Sequence, residues 1–450
     1  MLERRIIKYL KEWKEKDNRK PLILRGARQV GKTFIILEFG KRYFEDIIYL
    51  NMENPEHFNL FLKDVSLEEF EKIVEIKFHK KVTPQDLVFI DEIQNSPPLI
   101  RLLRFFYEDK PEIPVICAGS LFKAKIEKEG LNLPVGRAEY LYLYPLDFFE
   151  YLMAKNEDKL LEFLKNVKVG EKIPEGIHKL ALKLFYEYTM IGGMPEVVNT
   201  YLNTQSIEKA KKLCSDIFTA YSEDVYKYTS LANAKYINYV IEKSPLFCGE
   251  KIKYENFAGS NFRSREIHKA FELLEKVKLL YEVKATKSTQ LPLIPKLKRP
   301  KKLIFLDVGL VNYKMGIYSE YLNISDLNEF YRGKISEQIV AQNLIAQYPY
   351  TEPEIFYWAK EKPVSRAEVD FCLALEEKIL GIEVKSGISK KLKSLFIFSS
   401  EVKNSQALRI WPGEFKKEVI KIDNRKVSLI SIPFYLTGRI LEKDFLKKCK

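Results

Sequence analysis

Residues 26–33 read GARQVGKT, and this short stretch decides the fold of the first third of the chain. It follows the apolar run PLILR (21–25) and precedes KTFIILEFGKRYF (32–44), which has helical spacing. A strand, a loop of the form GxxxxGK[ST] and a helix, in this order, are the parts of a phosphate-binding loop. Backbone amides of such a loop point at phosphate. The residues predicted to line a nucleotide are therefore Gly26, Ala27, Arg28, Gln29, Val30, Gly31, Lys32 and Thr33.

Two of these side chains and a downstream acidic pair predict the chemistry of the loop. Lys32 is expected to reach the β- and γ-phosphates of ATP, and the Thr33 hydroxyl is expected to bind Mg²⁺. The apolar run LVFID (87–91) ends in Asp91, which is expected to hold the same Mg²⁺ through water. Glu92 is placed to orient the water that attacks the γ-phosphate. The sequence therefore predicts ATP hydrolysis rather than nucleotide binding alone.

Further apolar runs, DIIYLNME (46–53) and IPVICAGS (113–120), alternate with helical segments and predict a parallel sheet covered by helices. Ser120 ends the second run, and it is predicted either to touch the γ-phosphate or attacking water, or to cap the following helix. Arg137 is predicted either to act as an arginine finger, in cis or from a neighbouring subunit, or to form a surface salt bridge. The sequence leaves both alternatives open.

Composition sets the outer limits on fold and partners. The 450 residues are enough for two or three domains. A net charge of +13 favours a polyanionic partner such as nucleic acid, although lysine-rich surfaces are also common in proteins of thermophiles. The five cysteines form no CxxC pair and the four histidines no HExxH pattern, so no zinc site is expected. The charged segment MLERRIIKYLKEWKEK (1–16) and the short apolar runs predict a cytoplasmic protein with no membrane segment.

Residues 151–235 are predicted to form a helical lid or connector, with IGGMPE (191–196) as a structural turn because it lacks the lysine of a phosphate loop. Residues 236–320 have the order of elements of a winged helix-turn-helix. In its long helix, the spacing of Ile267, Phe271, Leu274 and Val277 predicts a buried face, which leaves Arg265 and Lys269 available to a partner. A basic loop is predicted to contact DNA phosphates through Lys296, Lys298, Arg299, Lys301 and Lys302, although winged helices also serve in protein contacts.

Two strands and one helix near the carboxyl end carry a second group of candidate residues. Strand alternation in AEVDFCLAL (367–375) places Asp370 on one face, and alternation in ILGIEVKSG (379–387) places Glu383 and Lys385 together. Upstream, Glu337 shares a helical stripe with apolar residues, so its carboxylate faces the sheet and needs a partner.

Carboxylates that converge in this way can hold Mg²⁺, which polarises a phosphodiester. The predicted metal ligands are Glu337, Asp370 and Glu383, while Lys385 would position the attacking water. The alternative is that Glu383 and Lys385 belong to a salt-bridge ladder on an exposed strand.

The order of these segments resembles archaeal and bacterial AAA-superfamily ATPases whose carboxyl-terminal half is a domain of unknown function. The similar segments, in chain order, are GARQVGKT, FIDEIQ, AGS, VGRAEYLYLYPLDFFEYL, YTMIGGMPEVV, LIFLDVGLV, AEVDF and IEVKSG. The resemblance implies ATP binding and hydrolysis at Lys32, Thr33, Asp91 and Glu92, favours Arg137 as a finger, and implies work on DNA.

Residues 321–450 also resemble the PD-(D/E)xK nuclease core. The matching positions are Glu337 for its helix acid, Asp370 and Glu383 for its strand acids, and Lys385 for its lysine. AEVDF lacks the proline that commonly precedes the aspartate of that core.

The sequence thus predicts an α/β protein of four parts. They are an AAA-like P-loop NTPase domain with a parallel sheet (1–150), a helical extension (151–235), a winged helix (236–320) and an α/β PD-(D/E)xK nuclease-like domain (321–450). The predicted function is ATP hydrolysis that controls how the rear domains bind or cut DNA. The alternative is an ATP-dependent switch that binds a protein partner and carries an inactive nuclease-like domain. A homo-oligomer is left open.

Overall fold

A computed structural model describes residues 3–120, 136–319, 334–360, 367–387, 392–422 and 425–446. Within these ranges, the strands form two sheets, one of five strands and one of nine. None of the helices in the described ranges is both long and apolar enough to cross a membrane.

The first sheet is the parallel sheet that the amino-terminal sequence predicts. Its strands are β1 (Leu22–Arg25), β2 (Ile47–Asn51), β3 (Leu87–Asp91), β4 (Val115–Ala118) and β5 (Glu139–Tyr142). They pair in parallel in the order β2-β3-β4-β1-β5. The accompanying helices are α1 (Ile6–Lys14), α2 (Lys32–Tyr43), α3 (Pro55–Phe58), α4 (Leu67–Phe78) and α5 (Pro97–Asp109). Strands β3 and β4 are buried along their whole length, which explains their continuous apolar sequences.

A helical region follows the first sheet. Its helices are α6 (Phe148–Ala154), α7 (Asp158–Asn166), α8 (Glu175–Ile191), α9 (Pro195–Thr204) and α10 (Ile207–Tyr228). The IGGMPE segment is the turn between α8 and α9, where Gly192 ends one helix and Pro195 begins the next.

Residues 231–305 form two helices and three strands. They are α11 (Leu231–Lys243), β6 (Lys251–Ile252), α12 (Ser264–Lys276), β7 (Leu280–Thr286) and β8 (Lys301–Phe305). Strand β8 pairs antiparallel with both β6 and β7. Helix α12 buries its apolar stripe, and its Arg265 and Lys269 are exposed as the helical spacing predicts. The identification of this segment as a winged helix stays a prediction.

The second sheet joins this segment to the rear of the chain. The remaining elements are α13 (Val308–Met315), α14 (Lys334–Ile345), β9 (Phe356–Ala359), β10 (Glu368–Leu375), β11 (Lys378–Val384), α15 (Lys393–Glu401), β12 (Ser405–Trp411), β13 (Lys416–Ile422) and β14 (Arg425–Pro433). The strand order is β13-β14-β12-β11-β10-β9-β7-β8-β6. Strand β7 pairs antiparallel with β8 and parallel with β9. The strands of the predicted winged helix and of the predicted nuclease-like domain are therefore parts of one sheet, which the sequence did not indicate.

A buried aspartate ties these regions together. One Asp307 carboxylate oxygen accepts hydrogen bonds from the backbone N–H of Gly193 at 2.6 Å and from the Gln342 amide at 2.9 Å. The other oxygen accepts from the backbone N–H of Gly309 at 2.9 Å. A Cβ atom added to Gly193 would lie 2.1 Å from the Leu146 carbonyl oxygen, which is far too close. Gly193 of the α8–α9 turn is thus required by close backbone contact.

Candidate functional site

The phosphate loop lies between the end of β1 and the start of α2, as its sequence predicts. Gly31 has a φ of 91°, a conformation that favours glycine, and α2 begins at the next residue. Lys32 is buried, and its Nζ donates hydrogen bonds to the carbonyl oxygens of Gly26 at 3.1 Å and Ala27 at 2.8 Å. The ammonium group therefore lies inside the loop, where a phosphate chain would also be held.

The phosphate loop and the acidic pair Asp91 and Glu92 were predicted to form one site, and they meet at the carboxyl ends of β1 and β3. The Thr33 hydroxyl donates a hydrogen bond to Asp91 Oδ2 at 2.7 Å, and the Tyr49 hydroxyl donates to the same oxygen at 3.3 Å. Asp91 is the last residue of β3 and is buried. Glu92 follows it with a φ of 49°, and the Gln94 amide donates a hydrogen bond to its carboxylate. The sequence does not indicate Tyr49 or Gln94, because neither belongs to the phosphate-loop pattern.

Burial governs the electrostatics of this site. It lowers the pKa of Lys32 to about 8, although the carboxylates of Glu92 and Asp91 oppose the change. Burial also raises the pKa of Asp91, against the Thr33 hydrogen bond, and raises the pKa of Glu92, against the charge of Lys32. A carboxylate whose pKa is raised in this way is a stronger base than an exposed glutamate.

The residues present fit a magnesium ion. The Thr33 hydroxyl and the Asp91 carboxylate converge to 2.7 Å, so two oxygen donors already face one point. Mg²⁺ prefers oxygen ligands, and in nucleotide sites it keeps several waters and takes the rest of its ligands from one or two side chains and the phosphates. Thr33 and Asp91 are therefore suited to hold Mg²⁺, directly and through water.

Helix α10, which belongs to the region predicted as a helical lid or connector, contacts the phosphate loop through residues that the sequence did not single out. The Tyr221 hydroxyl donates a hydrogen bond to the carbonyl oxygen of Arg28 at 3.0 Å, and the Arg28 guanidinium forms an ion pair with Asp224. Lys227 lies 3.3 Å from Asp224 and 3.4 Å from Glu53. Arg28 thus links the loop to the helical extension as well as lining the predicted nucleotide site.

Ser120 lies near the phosphate loop. It follows β4, the strand between β1 and β3, and it is buried beside Arg28 and Tyr221. This position suits a contact with phosphate or attacking water. Its alternative role as a helix cap concerns residues 121–135, which lie outside the described ranges.

Arg137 is not brought to the phosphate loop. It precedes β5, whose Glu139 pairs with Leu22 at the start of β1, whereas the loop follows the other end of β1. Arg137 Nε donates a hydrogen bond to Glu108 at 2.9 Å, as in the salt-bridge alternative. This arrangement gives no support to an arginine finger in cis, and a role from a neighbouring subunit stays a prediction.

The second group of candidate residues also comes together, on β10, β11 and α14. Strands β10 and β11 pair with Phe371 opposite Ile382, which places Asp370 beside Glu383. Asp370 Oδ2 accepts a hydrogen bond from the backbone N–H of Val384 at 2.8 Å. Lys385 Nζ donates to Glu383 Oε1 at 2.7 Å.

Lys302 of β8 is an unpredicted member of this group. Its Nζ lies 2.5 Å from Glu337 Oε2, 3.1 Å from the Asp370 carbonyl oxygen and 3.6 Å from Asp370 Oδ1. Its neighbour Lys301 donates a hydrogen bond to Glu282 at 2.6 Å. The expectation that Lys301 and Lys302 contact DNA from an exposed loop is therefore wrong, because both lie on a strand and pair with carboxylates, Lys302 as a buried side chain and Lys301 as a partly buried one.

The predicted metal site at Glu337, Asp370 and Glu383 does not fit this arrangement. Among the residues that the structure describes, no three His, Cys, Asp or Glu side chains are grouped so as to hold a metal ion. The Lys302 ammonium lies between two of the carboxylates instead. Burial, together with the nearby Asp370 carboxylate, raises the pKa of Glu337 and of Glu383 to about 7.

Three protein families match successive parts of the chain. A family described as an AAA domain matches residues 18–152. Two families described as domains of unknown function match the rest, DUF8612 at residues 182–321 and DUF4143 at residues 332–435. An uncharacterised protein of Haemophilus influenzae is 27% identical over a 188-residue alignment, and the match covers 39% of this chain and 40% of that protein. The chain thus matches less than half the length of this relative.

Two solved structures are similar to the chain at low identity. A Walker-type ATPase of Pyrococcus abyssi is 14% identical and covers 70% of this chain and 96% of its own, with a TM-score of 0.45. The RuvB Holliday junction branch migration motor of Thermotoga maritima is 15% identical and covers 63% of this chain and 90% of its own, with a TM-score of 0.29. The AAA match and the parallel sheet agree on a P-loop NTPase fold for the amino-terminal third.

Proposed function

We propose that this chain, whose residues 18–152 form an AAA domain, hydrolyses Mg²⁺-bound ATP at its phosphate loop and uses the nucleotide state to control how its rear half engages DNA. The observation that carries the ATPase part is the convergence of Thr33, Asp91 and the buried Lys32 at one end of the parallel sheet. These side chains come from two strand ends that are far apart in sequence.

Each residue has a separate task in the proposed reaction. Lys32 and the loop amides bind the β- and γ-phosphates, while Thr33 and Asp91 hold Mg²⁺, which neutralises charge on the phosphates when it is bound. Glu92 takes a proton from the attacking water, and the Gln94 amide fixes the orientation of its carboxylate. Ser120 is suited to orient the water or the γ-phosphate from the neighbouring strand.

The first test is ATP turnover by the full chain with Mg²⁺ and with EDTA. We expect hydrolysis only with Mg²⁺. In Lys32→Ala we expect roughly 10–100-fold weaker ATP binding, because charge-assisted hydrogen bonds to the phosphates are lost. Equilibrium binding of a fluorescent ATP analogue and phosphate release provide the two readouts. Hydrolysis that persists in EDTA, or in Lys32→Ala at the wild-type rate, would contradict the assignment.

Binding of DNA is proposed for residues 236–320 as a winged helix. Three observations support it: the net charge of +13, the exposed Arg265 and Lys269 on α12, and the exposed Lys298 in the loop before β8. Lys301 and Lys302 are excluded from this surface by their ion pairs. The proposed contacts are to phosphates, which give affinity without reading a base sequence.

We expect the double variant Arg265→Ala, Lys269→Ala to weaken DNA binding and to reduce the slope of log K against log salt by about 2, since each lost phosphate contact removes about 0.9. The matched control is Lys63→Ala, Lys72→Ala, which removes two exposed lysines from the AAA domain. Fluorescence anisotropy across a salt series measures both. If the wild type shows no salt-dependent DNA binding, the ATP-dependent switch with a protein partner becomes the better proposal.

Metal-dependent DNA cleavage is a second candidate function, and one observation favours it. Asp370 and Glu383 lie side by side on β10 and β11, Lys385 donates a hydrogen bond to Glu383, and Lys302 links Asp370 to Glu337 of α14. The position of Lys302 opposes cleavage in this arrangement. ATP hydrolysis and DNA cleavage can be tested independently, because ATP hydrolysis does not use these residues.

A further inference from the structure

The rear carboxylate cluster, defined as Glu337, Asp370 and Glu383, receives a cation from a different part of the chain. Lys302 lies on β8, within the family match at residues 182–321, whereas the three carboxylates lie within the match at residues 332–435. Its side chain is only 3% exposed. An ammonium group so deeply buried among carboxylates is a fixed part of the site rather than a passing surface contact.

The surroundings of Lys302 hold it in place. Its backbone pairs with Lys251 of β6 and Val283 of β7, so the strand that carries it is hydrogen-bonded on both sides. Its Nζ also lies 5.0 Å from the centre of the Phe371 ring, a cation–π contact. With Lys385, it gives two ammonium groups against three carboxylates.

One carboxylate oxygen of the cluster is left without a partner. Glu383 is 8% exposed, and its Oε1 accepts a hydrogen bond from Lys385. Its Oε2 is buried and receives no hydrogen bond from any residue in the described ranges. Buried carboxylate oxygens normally have donors or ligate a cation. The cluster therefore has capacity for a ligand that Lys302 alone does not fill.

We propose that Lys302 is the resident cation of the rear carboxylate cluster and keeps a latent divalent-cation site closed. A metal bound by Glu337 and Asp370 would lie about 2.1 Å from their oxygens, in the space that the Lys302 ammonium now occupies. The two positive charges would also repel each other at that separation. Metal binding requires the ammonium to leave, which means a rotated Lys302 side chain or a shifted β8.

The inference is independent of the ATPase proposal and concerns the cleavage candidate alone. One side chain, Lys302, closes the site, and it lies outside the family match at residues 332–435. The nucleotide site does not contain any of these residues.

The test measures Mn²⁺ binding to the nucleotide-free full chain by electron paramagnetic resonance. Wild type and Asp370→Asn are expected to bind the same number of Mn²⁺ ions, because the cluster is closed in both. Lys302→Met keeps the apolar stem of the side chain, and we expect it to bind one Mn²⁺ ion more than the wild type does, since the opposing charge is gone. Addition of Asp370→Asn to Lys302→Met should remove that site.

The matched control is Lys301→Met, which removes the adjacent, partly buried lysine and its ion pair with Glu282 but leaves the cluster untouched. It should gain no site. A Mn²⁺ ion that wild type binds and Asp370→Asn loses would overturn the proposal, and so would a folded Lys302→Met with no gain. If Lys302→Met does not fold, Lys302→Gln replaces it. The comparison of Mn²⁺ binding by wild type and Asp370→Asn still tests the proposal. Mg²⁺-dependent ATP turnover, measured on each folded variant, tests the ATPase proposal separately.

Discussion

Replacement of Glu92 by glutamine is expected to reduce ATP turnover roughly 10²–10⁴-fold while the protein still binds ATP, which is the range contributed by a general base. The amide keeps the size of the side chain and its position next to Gln94, but it cannot accept a proton from water. Lys32, Thr33 and Asp91, which carry nucleotide affinity, are unchanged. The effect should therefore fall on kcat, with little change in the Kd for ATP.

The measurement is single-turnover hydrolysis of radiolabelled ATP, with the Kd determined on the same preparation. Glu68→Gln, in the exposed first turn of α4, is the matched acid-to-amide control and should hydrolyse ATP at the wild-type rate. A Glu92→Gln protein that retains a tenth or more of the wild-type kcat would show that another group accepts the proton.

Gly193→Ala is expected to destabilise the protein by roughly 3 kcal/mol or more, at the upper end of the effects of overpacking. The added methyl group would lie 2.1 Å from the Leu146 carbonyl oxygen and 2.8 Å from its nitrogen. Both are backbone atoms, so no side chain can rotate away. Relief of the clash would also pull the Gly193 N–H from Asp307, leaving a buried carboxylate with fewer donors.

The control for this prediction is Gly176→Ala at the start of α8. A Cβ atom at Gly176 has no neighbour within 4 Å among the described residues, and alanine favours a helix by about 1 kcal/mol relative to glycine. Urea unfolding monitored by circular dichroism should show a large loss of stability for Gly193→Ala and none for Gly176→Ala. Equal midpoints for the two variants would contradict the close contact at the α8–α9 turn.

The amino-terminal site was predictable because its determinants are local. GARQVGKT specifies its own loop, and the rule that parallel strands end at one edge brings Asp91 to Thr33 without knowledge of the rest of the fold. The strand that precedes Ser120 was also predictable from its apolar run. A helical lid was expected somewhere in residues 151–235, but the contacts of α10 were not predictable, since an ion pair such as that of Arg28 and Asp224 depends on how two regions pack.

The rear cluster shows the same division. Strand alternation and helical periodicity placed Glu337, Asp370 and Glu383 correctly relative to their own elements. The sequence suggests an exposed loop for Lys302, because a basic stretch looks the same whether its lysines face solvent or pair with buried carboxylates. Arg137 is a similar case, since its sequence context carries no sign of which end of the parallel sheet it will occupy. Only the three-dimensional packing distinguishes these alternatives.

The strand β7 has a practical consequence for work with parts of this chain. It pairs on one side with β8 and on the other with β9, through Lys284, Ala285 and Thr286. A fragment that ended near residue 320 would keep β7 but lose β9, and its open edge would be prone to pair with other chains and aggregate. The same fragment would also lack Glu337 and Asp370, the carboxylates that pair with Lys302. Recombinant fragments should therefore extend from α11 through β14, and shorter boundaries chosen from family matches alone would divide a single sheet.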